Sequence, residues 1–345
     1  MTSCCLSDFS YKKLNYKKYV VDSRLRYFKP HATKIEKSFA EEISFSLSQD
    51  SKFINPKFFY DSTGSSLFET ICSLPEYYPT RTEIEILKSL ESDLLPFLDK
   101  ETKLVELGSG ASVKTKLIID IFTKLQSKTD YFPIDISEIL AESSEQLLKD
   151  YETLHITGII DTYEGGLEFL KNYDEKKNLI IFLGSSFGNF TPDDGKLFLK
   201  NIFSTMKSGD LFLIGLDLVK DKNILESAYD DSADVTAQFN LNVLSRINNE
   251  LDGDFDLNNF SHYSIYNENE QRIEMNLKSL MPQSVIVSKS NLHLQLVKNE
   301  LIHTEYSHKY TVNQIKQILN DAGFEIKKMW LDEKKYFSLT LVSKN

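Results

Sequence analysis

The sequence predicts an α/β fold: a mostly parallel sheet with helices on both faces, interrupted late by a second, α+β unit. Three observations carry this. From Leu104 to Leu218 short apolar runs alternate with helix-length segments, the rhythm of βαβ units. The first of these runs leads into a glycine-containing loop and then a helix. Between Lys220 and His308 the rhythm gives way to a helical stretch and short alternating runs, and it resumes at Thr311.

The chain has 345 residues, enough for two domains or one large one with an insertion. Hydrophobic residues make up 41% and charged residues 26%, so a core of real size can be buried. With 13 glycines and 8 prolines, the chain is too poor in both for a collagenous, linker-rich or disordered protein. The longest uninterrupted apolar stretch, Leu179 to Leu183, is far short of a membrane span. The net charge of −11 repels phosphate backbones and anionic lipid, so neither nucleic acid nor membrane is expected as a partner. Cys4, Cys5 and Cys72 have neither disulfide-framework nor metal-ligand spacing, and Met1 to Asp22 lacks a signal-peptide core. A cytoplasmic monomer without a bound metal is the expectation.

Residues 1–25 read as a tail, with a basic cluster from Tyr11 to Lys18. Ala32 to Leu47 and Glu83 to Leu98 have helical spacing. Leu104 to Leu107 reads as the first buried strand, followed by the helical Val113 to Leu125. Tyr131 to Ile136 is a second strand with Glu138 to Leu148 helical behind it, and Thr157 to Ile160 is a third. Leu179 to Leu183 and Leu211 to Leu218 complete the series around the helical Asp193 to Met206. Continuous rather than alternating apolar runs indicate strands covered on both faces. Asp221 to Leu251 is helical, and SHYSIY and QRIEMNLKSL alternate like antiparallel strands. Thr311 to Ala322 is a helix stopped by Gly323, and FEIKKMWL and YFSLTLVSK form a closing hairpin. Residues 26–81 with 219–309 are therefore assigned to a second domain, and 82–218 with 310–345 to the α/β core.

The strongest local signal is LVELGSGASVKTK, Leu104 to Lys116. Glycines after a buried strand permit close backbone approach, and the helix that follows offers unpaired N–H donors to an anion. The third glycine of a dinucleotide fingerprint is missing, which argues against a dehydrogenase. Asp135, 27 residues after Gly108, ends the second strand, where a carboxylate can accept both ribose hydroxyls. Asp161 ends the third. The competing reading of Asp135 is a helix N-cap or turn carboxylate, and the same reading weighs more heavily on Asp161. Loop glycines with acids at these two strand ends suit a nucleoside without a pyrophosphate, and S-adenosylmethionine fits. Lys114, in the first turn of the helix, is either solvated or paired with the cofactor's carboxylate.

Longer motifs are more specific. FFYDSTGSSLFETICSLPEYYPTRTE (Phe58 to Glu83), LVELGSGASVKTK, FLGSSFGNF (Phe182 to Phe190), AYDDSADVTAQFNLNVLSRINNEL (Ala228 to Leu251) and RIEMNL (Arg272 to Leu277) occur in order. Together they resemble the histidine-specific, S-adenosylmethionine-dependent Nα-methyltransferases of ergothioneine biosynthesis, from about Lys34 to the C-terminus. The resemblance implies a class I Rossmann-like methyltransferase core, with a second domain built from the N-terminal segment and the late insertion. It implies that Gly108, Ser109, Gly110, Lys114, Asp135, Asp161 and Thr162 hold S-adenosylmethionine. It implies that Asn189 and Tyr229 grip the α-amino and α-carboxylate groups of L-histidine, that Tyr77 lines that site, and that Tyr60 closes it. Tyr78 is the neighbour most easily confused with Tyr77, and Met275 is either a pocket or a core residue.

The family's R-T-E-x-S stretch reads H-T-E-Y-S here, so the resemblance gives Glu305 and Ser307 the imidazole. Residues i and i+2 of a strand face one side, a carboxylate accepts an N–H, and a hydroxyl serves the other nitrogen. Asp230, Asp234 and His303 depart from the family's Asn, Gly and Arg. The implied reaction is threefold methyl transfer to the α-amine, giving hercynine, with Tyr77, Asn189 and Tyr229 at the reacting amine. Two alternatives stay open: the same chemistry on another aromatic amino acid, or a non-catalytic S-adenosylmethionine-binding protein.

Overall fold

The computed structural model describes residues 15–31, 37–109, 113–136 and 140–344. Gly110, Cys4, Cys5, the start of the helix expected from Ala32 and the first residues of the one expected from Glu138 lie outside them. The chain opens with strands β1 (Tyr16–Val20) and β2 (Leu25–Pro30). These correct the expectation of a tail up to residue 25 and of a second-domain segment beginning at 26. β2 pairs in parallel with a core strand, and Leu25, Tyr27 and Phe28 are buried against the core. The segment reads as a tail because β1 is an edge strand whose lysines blunt it against further pairing.

Four helices follow: α1 (Phe39–Leu47), α2 (Ser62–Ser73), α3 (Tyr78–Ser89) and α4 (Glu91–Leu94). α1 is closed by a capping box, Ser38 with Glu41. The single helix expected over Glu83 to Leu98 instead starts five residues earlier, with Pro79 in its first turn, and breaks at Leu90.

The core then alternates as expected: β3 (Lys103–Leu107), α5 (Val113–Leu125), β4 (Thr129–Asp135), α6 (Leu140–Asp150), β5 (Leu154–Ile160), α7 (Tyr163–Lys171), β6 (Asn178–Phe182), α8 (Pro192–Thr205) and β7 (Leu211–Asp217). Beyond β7 come α9 (Lys222–Ser227) and α10 (Val235–Leu251). The continuous helix expected from Asp221 is broken between them. Asp231 takes the backbone N–H groups of Val235 (2.9 Å) and Thr236 (2.7 Å), starting a new helix there. Asp234 holds φ at 58°, the left-handed region a glycine would favour, so the departure from the family's Gly keeps the backbone turn.

The insertion continues as β8 (Phe260–Asn267), β9 (Arg272–Ser279), β10 (Gln283–Val287), β11 (Leu292–Leu296) and β12 (Leu301–His308). The chain closes with α11 (Val312–Asp321), β13 (Glu325–Leu331) and β14 (Phe337–Ser343).

Nine strands form one sheet in the order β1-β2-β5-β4-β3-β6-β7-β14-β13. β2 through β7 run parallel, and β14 is antiparallel to both β7 and β13. Apolar side chains cover both faces: Leu104, Ile118, Leu179 and Leu213 on one, Val105, Ile134, Phe182 and Ile214 on the other. A third apolar cluster unites α1, α2 and α10 with the separate antiparallel sheet β12-β9-β8 and the β10–β11 hairpin. The C-terminal ends of the parallel strands face this cluster, where open α/β sheets place their ligands.

Candidate active site

The site has two sides. On the sheet side, Gly108 follows β3 with φ of 73°. A Cβ there would lie 2.7 Å from the Tyr163 hydroxyl, so this turn tolerates no side chain. The neighbouring Ser109 Oγ is buried and has no hydrogen-bond partner among the described residues. Glu106, on β3, accepts hydrogen bonds from Thr115 (2.8 Å) and from Tyr131, and burial pushes its carboxyl up to about 7. Asp135 ends β4 next to this loop. Gly108→Ala is expected to weaken S-adenosylmethionine binding at least about tenfold, through left-handed strain of about 1–2 kcal/mol added to the clash. Calorimetric titration checks it.

Asp161 and Thr162 are engaged in local structure. The Asp161 carboxylate accepts from Tyr16 Oη and from the Thr162 N–H at 2.7 Å, while Thr162 Oγ1 caps α7 by accepting from Gly165 N. The supposed tail thus reaches the end of β5 through Tyr16. Lys114 is 2.8 Å from Glu83, whose carboxylate is wholly buried and also takes the Gly184 N–H at 2.9 Å. Glu83 is therefore the partner of Lys114 that the sequence reading lacked.

The second side is a narrow pocket lined by Tyr60, Tyr77, Tyr229, Met275 and Glu305, with Phe68, Ile71, Ala228, Thr236 and Phe239. Tyr60 is 42% exposed and forms the rim, its ring edge-on to Phe68 and Phe239. Tyr77 packs edge-on to Tyr229 with centroids 6.1 Å apart. Tyr78 points elsewhere, donating to Asp217 at 2.6 Å. Met275 on β9 lies opposite Glu305 on β12.

Strand β12 owes its useful face to a bulge. Its register slips between His303 and Glu305, so the buried side shifts from Ile302 to Glu305 and Ser307. His303, standing where the family has Arg, stacks on Tyr306 with centroids 3.8 Å apart. The turn carrying Asn189 lies against the same strand. A Cβ on Gly188 would meet the His308 carbonyl oxygen at 2.9 Å, and this close approach lets Asn189 Nδ2 donate to Glu305 Oε2 at 3.2 Å. Burial pushes the Glu305 carboxyl up to about 7, against the lowering influence of Lys309. Tyr229 Oη and Ser307 Oγ are 2.7 Å apart.

Beneath this pair lies an ion cluster that the sequence reading missed. The buried Lys309 ammonium contacts Asp217 Oδ2 (2.8 Å), Ser307 Oγ (2.8 Å) and Tyr229 Oη (3.0 Å). Lys220 takes the other Asp217 oxygen. Burial alone would raise Asp217, but the two ammoniums outweigh it and hold its carboxyl below the usual range. Lys309 shares the strand parity of Glu305 and Ser307, the one sequence signal that marks it. Among the described residues no group of three or more His, Cys, Asp or Glu is placed to hold a metal, and no helix is long and apolar enough to cross a membrane.

A parallel sheet ordered β5-β4-β3-β6-β7, closed by an antiparallel hairpin whose last strand inserts next to β7, with a glycine loop after its first core strand, defines a class I methyltransferase. Residues 39–344 match the family model described as histidine-specific methyltransferase, SAM-dependent, and the chain belongs to that family. It is 38% identical over 291 residues to the histidine N-alpha-methyltransferase of Mycolicibacterium smegmatis, covering 84% of this chain and 90% of that one. It is 29% identical over 279 residues to ergothioneine biosynthesis protein 1 of Schizosaccharomyces pombe, covering 77% of this chain and 36% of that one. It is 27% identical over 296 residues to the L-tryptophan methyltransferase of Psilocybe serbica, covering 78% and 81%. The chain is thus an enzyme that uses S-adenosylmethionine. The residues present fit that molecule, since a buried Ser109 hydroxyl without a partner among the described residues, beside the left-handed Gly108 turn, suits an amino-acid carboxylate.

Proposed function

We propose that this enzyme transfers methyl groups from S-adenosylmethionine to the α-amino group of L-histidine, three times, giving hercynine for ergothioneine biosynthesis. The observation that carries the choice of amino acid is the bulged face of β12. It sets a carboxylate and a hydroxyl side by side, Glu305 tied to Asn189 and Ser307 tied to Tyr229. Glu305 accepts the imidazole N–H and Ser307 meets the other nitrogen. Asn189, Tyr229 and Tyr77 hold the amine and carboxylate end, and Tyr60 covers the pocket. Gly108, Ser109, Gly110, Lys114, Asp135, Asp161 and Thr162 form the cofactor side, and the N-terminal helices with residues 219–309 form the substrate-binding unit.

S-adenosylmethionine supplies an already activated methyl group, so the protein's task is positioning. Burial raises the Tyr77 and Tyr229 hydroxyls above their ordinary range, which makes them donors and orienting groups rather than bases. The amine therefore loses its proton to water before each transfer. Carboxylate and imidazole stay anchored while the amine rotates, and the faces of Tyr60 and Tyr77 accept the positive charge that forms on the amine at each transfer. On this reading the enzyme works as a monomer in the cytoplasm.

Mass spectrometry of the protein with S-adenosylmethionine and a mixture of competing free amino acids tests this. Histidine alone is expected to gain up to three methyl groups. Methylation of tryptophan or tyrosine in its place would sink the imidazole assignment, and cofactor binding without any product would leave a non-catalytic binder.

A further inference from the structure

The cluster beneath the pocket does more than fill space. Lys309 is buried in the gap between β7 and β12 and has three N–H donors, all spent: one on Asp217, one on Tyr229 Oη and one on Ser307 Oγ. Tyr229 and Ser307 are themselves hydrogen-bonded at 2.7 Å, so one of the two hydroxyls donates to the other. A hydroxyl has one proton and two acceptor sites. The phenol is the more acidic hydroxyl and donates to Ser307, so Ser307 Oγ, receiving Tyr229 and Lys309, has no acceptor site left and only its own proton to offer, while Tyr229 Oη keeps one acceptor site.

We propose that Lys309 is a positioning residue that sets the hydrogen-bond polarity of the Tyr229–Ser307 pair, so that Ser307 offers the imidazole one donor and no acceptor. With Glu305 on the same strand face, the pocket then demands one N–H and one bare ring nitrogen: a neutral imidazole in a single tautomer. An imidazolium would set an N–H against the donor. This rests on the histidine reading above and adds to it the protonation state selected. Lys309 can play this part because Asp217 fixes its direction and Lys220 shares the anion, which leaves Lys309 free to spend two donors on the pair.

The test uses ¹⁵N-labelled histidine bound to the native enzyme with S-adenosylhomocysteine at neutral pH, where NMR reads the protonation of each ring nitrogen. One protonated and one bare nitrogen, in a single tautomer, is the expected result; two protonated nitrogens would overturn the proposal. Lys309→Met is expected to raise KM for histidine about tenfold, with a smaller effect on kcat and none on S-adenosylmethionine affinity. In a Ser307→Ala background the same replacement should add little, because the pair it orients is gone. Fully additive effects would mark Lys309 as mere packing and overturn the proposal. If Lys309→Met does not fold, the NMR result on the native enzyme decides alone. Native protein that fails to methylate histidine would overturn the histidine reading and this proposal with it, whereas methylated histidine held as imidazolium overturns this proposal only.

Discussion

Glu305→Gln is expected to lower kcat/KM for histidine by about 100-fold, chiefly through KM. The side chain keeps its size and an oxygen for Asn189, but it loses the charge that makes its hydrogen bond to an imidazole N–H strong. A hydrogen bond to a charged group contributes about 1.5–3 kcal/mol, and 2.7 kcal/mol is about two factors of ten. The imidazole is remote from the reacting amine, so the loss falls on binding in ground and transition states alike. Stability should move the other way. Burial raises the Glu305 carboxyl from 4.5 to about 7, so holding it ionised works against the folded enzyme. That penalty is full above about 7, fades as pH falls through it, and is gone below the unfolded value of 4.5. The ligand-free Gln variant is therefore expected to melt at or above the native temperature at pH 8 and to lose that advantage by pH 4. Steady-state kinetics with parallel thermal melts checks both halves. A variant that loses activity only because it is unfolded would contradict the assignment.

Asp217→Asn is the change expected to damage stability most. It leaves Lys309 and Lys220, both buried, with no anion between them. Breaking a buried ion pair by removing one partner costs about 3–5 kcal/mol, because the remaining charge has no water to return to. Tyr78 then competes with both ammoniums for the single remaining side-chain oxygen, so the link between α3 and β7 weakens as well. The pH dependence follows from the lowered pKa of Asp217. Its stabilisation is present above the unfolded aspartate value of about 3.9 and is lost as pH falls through the still lower folded value. The gap between native and Asn proteins should be constant near neutrality and close only in strong acid. Denaturant unfolding at pH 7 and at decreasing pH measures it. Equal stability at pH 7 would mean that the two ammoniums find other anions.

Much of this is legible in the sequence. Continuous apolar strands such as LFLIGLDL admit little besides a doubly covered sheet, and a glycine loop after the first of them marks where a ligand sits. Glu305 and Ser307 were marked by motif, and their common face follows from strand periodicity. Less legible were elements whose meaning comes from a neighbour far along the chain. YKKYVV looks like a solvated tail because an edge strand needs few apolar residues, and only pairing of β2 with β5 gives it a place.

The sequence by itself determined the α/β core, its late interruption and the family to which the chain belongs, because periodicity and motif order are local properties of the chain. Tertiary structure alone decided that Glu83 would hold Lys114, that Tyr16 would reach Asp161, and that Asp217, Lys220 and Lys309 would meet under the pocket. Nothing local in the sequence tells which distant charge each of these carboxylates and ammoniums meets. Burial makes isolated charges untenable, so the fold itself selects which distant partner each must have.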